Sequence, residues 1–209
     1  MFYNPNIHHR KSIRLKGYDY SQAGAYFITI CIQDRKCLFG NIGKDEMVLN
    51  ENGMIAYNEW EKLPERFVNM ELDVFQIMPN HMHGIIVLNG VGATLAVAQN
   101  NNDAVVPVDK TIITTNDDID GDWAGASPAP TEPTTIGDIV GAYKSLVANE
   151  CLKIFKQKWA EVNPAPTMGK LWQRNYYEHI IRDEQSYHRI SEYIINNPAN
   201  WKDDKFYGK

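Results

Sequence analysis

Gln76-Ile77-Met78-Pro79-Asn80-His81-Met82-His83-Gly84-Ile85-Ile86-Val87-Leu88 decides how the rest of this chain is read. Its apolar, β-branched run reads as a buried strand, and Pro79-Asn80 is a turn signal just before it. Side chains alternate across a strand, so His81 and His83 share one face while Met82 points to the other. Two imidazoles side by side are what a divalent metal site needs. One histidine in a strand is ordinarily a satisfied core or surface residue. A same-face pair beside a turn is less ordinary and marks a candidate metal site.

Upstream, 72–78 pairs naturally with 81–88 as a hairpin that leaves the histidines near a strand end, where a metal ligand is accessible. Tyr26-Phe27-Ile28-Thr29-Ile30-Cys31-Ile32 is a further strand after the turn Gln22-Ala23-Gly24, and Met47-Val48-Leu49 is a short one. Over 52–63, Met54, Ile55, Tyr57, Trp60 and Leu63 include helical spacings, and Pro64 is expected to end that helix. Downstream, 136–159 carries Ile139, Val140, Tyr143, Leu146, Val147, Leu152 and Phe155 at three- and four-residue spacings. Lys144, Lys153, Lys156 and Lys158 lie on the same helix, a charge pattern that is usually a solvated face. The stretch 171–183 interleaves aromatic and basic residues and reads as extended. Asp183 then caps a last helix, which Pro198 stops. Tyr187, Ile190 and Ile194 form its apolar seam, and Tyr193 and Asn197 lie one above the other on the flank.

With 209 residues, 44% of them hydrophobic, the chain can bury a substantial core. We expect one domain over 17–209 behind a basic arm, 1–16, that holds His8, His9, Arg10, Lys11, Arg14 and Lys16. A net charge of -5 argues against a nucleic-acid partner until the charges are located. Between 89 and 135, seven acidic residues face Lys110 alone, so this stretch carries -6 and the remainder is close to neutral. Its Pro, Asn, Asp and Thr content predicts a flexible acidic insertion. Gly121 falls at the wrong offset for a calcium loop. Cys31, Cys37 and Cys151 lack CxxC spacing, so reduced thiols in a cytoplasmic protein are expected. No apolar run nears the ~18 residues of a membrane span.

Three ordered blocks now stand together: Pro79-Asn80-His81-Met82-His83-Gly84; Leu171-Trp172-Gln173-Arg174 with Glu178-His179-Ile180-Ile181-Arg182; and Tyr193-Ile194-Ile195-Asn196-Asn197-Pro198. They resemble the REP-associated tyrosine transposases, relatives of the single-tyrosine HUH transposases of small insertion sequences. The resemblance runs from about residue 18 to 201, apart from 89–135. It implies a ferredoxin-like α+β fold of the HUH endonuclease type, a central antiparallel sheet flanked by helices, with the histidine pair on a central strand. It also implies a single-stranded DNA substrate beside a hairpin, His81, His83 and Asn197 as metal ligands, and Tyr193 as nucleophile. In insertion-sequence relatives the position of Asn197 is usually Gln; the REP-associated branch carries Asn. Relatives act as exchanging dimers or as monomers, so either state is open.

The chemistry is coherent on its own terms. A phenol with a pKa near 10 is a poor nucleophile at neutral pH without a base or a metal. A divalent ion, Mg²⁺ or Mn²⁺, with open positions would polarise the scissile phosphate. Attack would leave a 5′-phosphotyrosine and a 3′-hydroxyl, and rejoining would need no ATP. Pattern alone does not choose among Tyr143, Tyr176, Tyr177 and Tyr193. Asn197, four residues on, favours Tyr193, and the family block assigns it. Arg10, Lys11, Arg14, Lys144, Trp172, Arg174, Tyr176 and Arg182 are candidate DNA contacts. The competing readings are a hairpin-binding protein of the same fold that does not cut, and a histidine-metal hydrolase of a small substrate.

Overall fold

The β-branched and aromatic runs form strands, and their pairing sets the architecture. The computed structural model describes residues 17–90, 134–164 and 166–207; the basic arm and nearly all of the acidic insertion lie outside them. In chain order the elements are β1 (Gly24–Cys31), β2 (Gly40–Gly43), β3 (Glu46–Leu49), α1 (Glu51–Glu61), α2 (Leu63–Arg66), β4 (Met70–Ile77), β5 (His81–Leu88), α3 (Ile136–Lys158), β6 (Tyr177–Ile181) and α4 (Glu184–Asn196). The main sheet is antiparallel with order β4-β5-β1-β6, so the histidine strand β5 is central. Without the β2-β3 hairpin, the succession β1-α1-β4-β5-α3-β6 is the ferredoxin-like plan.

Alternation divides the core between the two sheet faces. Tyr26, Ile28, Ile30, Met82 and Ile86 meet Trp60 of α1 and Tyr143 and Val147 of α3. The Tyr143 phenol donates to the carbonyl of Ala56 at 3.0 Å, which satisfies a fully buried hydroxyl and fixes α3 against α1. On the other face Phe27, Ile85 and Ile181 receive Ile190 and Ile194 of α4, each worth roughly 1.5–3 kcal/mol of burial. The Tyr187 hydroxyl donates to Asp73 Oδ2 at 2.6 Å and ties α4 to β4. Helix α4 is thereby held across the face that carries His81 and His83.

Gly84 follows from the packing on the opposite face. A Cβ at this position would lie 2.6 Å from Trp60 Cζ2 and 3.2 Å from Phe75 Cβ. Gly84→Ala is therefore expected to lower unfolding free energy by about 1–3 kcal/mol in urea titrations, through overpacking alone.

Several sequence expectations need correction. Pro64 does not end the helix: α1 stops at Glu61, and Pro64 sits in the first turn of α2, where its missing N–H costs nothing. Strand β2 is not expected from Gly40-Asn41-Ile42-Gly43, which has little strand propensity. It exists because Lys44 and Asp45, both at positive φ (53° and 63°), make the tight turn that pairs it with β3. Within 171–183 only Tyr177–Ile181 is strand; Trp172 makes an isolated bridge to Ile32. The α4 cap is as expected, with Asp183 accepting from the Ser186 N–H.

Candidate metal and nucleophile site

Strand β5 presents both imidazoles to the α4 face, and both are fully buried. Their outer nitrogens are occupied. Asn80 Nδ2 donates to the carbonyls of Arg35 (3.2 Å) and Phe206 (2.9 Å), so its Oδ1 faces His81 Nδ1 at 2.8 Å. His81 Nδ1 must then donate, which leaves a bare lone pair on Nε2. His83 Nδ1 lies 2.8 Å from the Thr29 hydroxyl, which can serve either tautomer. The two Nε2 atoms converge to 3.0 Å.

Helix α4 and the turn after it close the site. The Tyr193 hydroxyl is 3.2 Å from His83 Nε2 and donates to Asp204 Oδ2 at 3.2 Å. Asn197 Nδ2 donates to the same carboxylate oxygen at 2.8 Å, while Asn197 Oδ1 is buried without a hydrogen-bond partner. Asp204 Oδ1 accepts from the Phe206 N–H. One ligand atom each from His81, His83 and Asp204 falls within 4.8 Å of the others, so this group could hold a metal ion. Two imidazole nitrogens, a carboxylate and an orphaned amide oxygen are a fitting donor set for a divalent cation.

The electrostatics point the same way. Burial, chiefly, pushes the His81 pKa down to about 4 and that of His83 well below its usual value, so both imidazoles are neutral and ligand-ready at pH 7. Tyr193 is pushed up, first by burial and then by the Asp204 charge, so its phenol keeps its proton at neutral pH. Thr29 supports His83 from behind the nitrogen that converges on His81. Thr29→Val is expected to weaken Mn²⁺ binding by about 10-fold or more, read by titration calorimetry.

Of the residues singled out from sequence, His81, His83, Tyr193 and Asn197 are brought together. Arg10, Lys11 and Arg14 lie outside the described residues. Lys144 donates to the carbonyls of Gln173 (2.7 Å) and Arg174 (3.1 Å), and Trp172 is buried with Nε1 on the Lys144 carbonyl. Both serve to pin the 171–176 segment onto α3. Tyr176 packs half-buried against the larger core cluster, whereas Arg174 is exposed. Arg182 lines an open groove of about 810 Å³ with His179, Gln185 and Arg189. Asp204, Thr29 and Asn80 were missed. For Asp204 the available signal was Asp203-Asp204 bracketed by Trp201 and Phe206, aromatics that would be expected to pack back onto the fold.

The sheet order and helix α4, laid across the face that carries His81 and His83, define an α+β protein with a ferredoxin-like antiparallel sheet. The chain belongs to one family with an uncharacterized protein of Haemophilus influenzae, to which it is 41% identical over 207 residues, covering 98% of this chain and 97% of that one. No family model matches it. Among solved structures it is similar to a REP-associated tyrosine transposase bound to a REP hairpin, with a TM-score of 0.51 over 90% of this chain and 74% of that one. At 14% identity the likeness is one of fold. No helix among the described residues is long and apolar enough to cross a membrane.

Proposed function

We propose that this protein nicks and rejoins single-stranded DNA beside a hairpin, with Tyr193 as nucleophile and Mg²⁺ or Mn²⁺ held by His81, His83, Asp204 and Asn197. The observation that carries the reading is the Tyr193 hydroxyl, 3.2 Å from both His83 Nε2 and Asp204 Oδ2. A phenol within hydrogen-bond reach of a base and of convergent metal donors has the geometry of an activated nucleophile. The hairpin comes from the structural relative's own ligand and from the three sequence blocks.

The residues divide the work. Tyr193 Oη attacks the phosphorus, the phosphorus–O3′ bond breaks, and a 5′-phosphotyrosine with a free 3′-hydroxyl results. The phenol proton leaves along the hydrogen bond to Asp204, and O3′ takes a proton from solvent. A divalent ion held by these donors would supply Lewis-acid stabilisation of charge on the phosphate oxygens and would offset the Asp204 charge, which adds to burial in keeping the phenol protonated. Asn80 and Thr29 keep the imidazoles oriented, and Ile190 and Ile194 keep α4 seated so that Tyr193 stays in reach. Rejoining is the reverse, with a 3′-hydroxyl attacking the phosphotyrosine and the proton returning to the phenol.

The test is incubation with a labelled single-stranded oligonucleotide containing a hairpin, in Mn²⁺, followed by denaturing electrophoresis. A protein-sized labelled band supports the proposal. Binding without such a band in Mg²⁺ or Mn²⁺ would favour a module that recognises hairpins and does not cut.

A further inference from the structure

Two cations stand at the mouth of this site with no carboxylate in ion-pair reach among the described residues: the ion pairs found there are Lys62–Glu59, Lys153–Glu150 and His188–Glu184. The Arg35 guanidinium lies 5.2 Å from the centre of the Phe206 ring, and Lys205 Nζ lies 4.8 Å from the same ring. Phe206 packs on His81, ring centres 4.4 Å apart. Lys205 Nζ is also 5.8 Å from the centre of the Tyr177 ring. Tyr177 is 45% exposed and leans edge-on against Phe27, which stacks on His83. Each cation therefore rests on a ring within one or two contacts of a metal-ligand histidine.

Their placement is built. Asp34 and Arg35 both hold positive φ, 57° and 53°, a conformation that L-residues adopt rarely. The Arg35 carbonyl is held by Asn80 Nδ2, the same amide that orients His81, and one Arg35 guanidinium nitrogen donates to the Lys205 carbonyl at 3.3 Å. Loop, ligand histidine and C-terminal segment are thus fixed by one set of bonds. With a dication in place, Asp204 is the one carboxylate among the clustered ligand atoms, and Arg35 and Lys205 add positive charge beside it. A neutral small substrate would leave that charge unanswered, whereas successive phosphodiesters answer it.

We propose that Arg35 and Lys205 hold the backbone phosphates next to the scissile one, with the exposed face of Tyr177 stacking a base, so that this rim positions single-stranded DNA on the His81–His83–Asp204 centre. This rests on the reading of that centre as a DNA nicking site. Arg35 and Lys205 are positioning residues, and their contribution is electrostatic, separable from that of the metal ligands.

The experiment measures anisotropy of a labelled hairpin-bearing single strand in EDTA at several salt concentrations, so that no cleavage intervenes. Arg35→Gln and Lys205→Gln should each reduce the slope of log K against log [salt] by about 0.7, and the double variant by roughly twice that. Lys205→Arg should restore the slope. Tyr177→Ala should weaken binding several-fold with little change of slope. Mn²⁺ affinity should hold or tighten in the glutamine variants, since a nearby positive charge is gone. Weaker Mn²⁺ binding would mean that the substitutions damaged the site, and would overturn the assignment. If the wild type forms the covalent adduct while the double variant keeps the full slope and affinity, the rim is wrong and the nicking site stands. If the wild type neither binds nor nicks the strand, both readings fall.

Discussion

Tyr193→Phe is expected to remove the covalent DNA adduct, with strand cleavage falling by at least about 10³-fold, the scale lost when an enzyme's nucleophile is deleted. The substitution keeps the ring that packs edge-on against Phe27, ring centres 6.3 Å apart, and against His83 at 5.1 Å. It removes only the hydroxyl and its contacts with His83 and Asp204. Folding stability should therefore change by about 1 kcal/mol or less, and Mn²⁺ affinity should persist because none of the proposed donors is touched. His81→Ala should also abolish the adduct, but with loss of Mn²⁺ binding. That contrast separates nucleophile from ligand. An adduct that survives in Tyr193→Phe would move the nucleophile to another tyrosine, and Tyr177, 6.2 Å from Phe27 on the same sheet face, is the first to examine.

How much of this was legible depends on whether local rules and tertiary packing agree. The β4-β5 hairpin, the α4 cap and stop and the same-face histidines were readable because each follows from a local regularity: alternation, an Asp cap, a proline stop. The convergence of Tyr193 on His83, 110 residues apart in sequence, was legible only through the resemblance of ordered blocks, since no local rule relates β5 to α4. For Asp204 the flanking aromatics mark the segment but not the residue. It lies beyond Pro198, past the 3-10 turn Trp201–Asp203, and faces inward because Trp201 and Phe206 both pack around His81. Asp203 beside it is exposed, and the sequence offers no way to choose between the two. Trp172 and Lys144 show the converse. An aromatic-basic stretch reads alike whether it meets DNA or pins a connecting segment, and here the contacts within the fold already occupy both side chains.

Acidification should destabilise the metal-free protein between about pH 6.5 and pH 4, and the sign follows from the histidines. In the unfolded chain His81 takes up its proton near 6.5; in the folded protein burial holds its pKa down to about 4. Between these values the unfolded state binds more protons, so stability is fully present above pH 6.5 and is lost as pH falls toward 4. His81 alone would contribute on the order of 3 kcal/mol across that window, and His83, pushed down by burial and by His81, adds in the same direction. Asp204 works against the shift at His81, whereas Lys205 and Arg35 reinforce it. Urea midpoints measured at intervals from pH 7.5 to 4 should show this loss, and His81→Gln should make the profile shallower, leaving the part due to His83, because glutamine has no proton to gain. Mn²⁺, which binds neutral imidazoles and the Asp204 carboxylate, should raise stability at pH 7 and lose that effect at the acid end, steepening the slope. A wild-type profile that stays flat across this range would mean that burial does not suppress protonation of these imidazoles. The neutral, ligand-ready state on which metal binding at pH 7 depends would then have no basis in their burial.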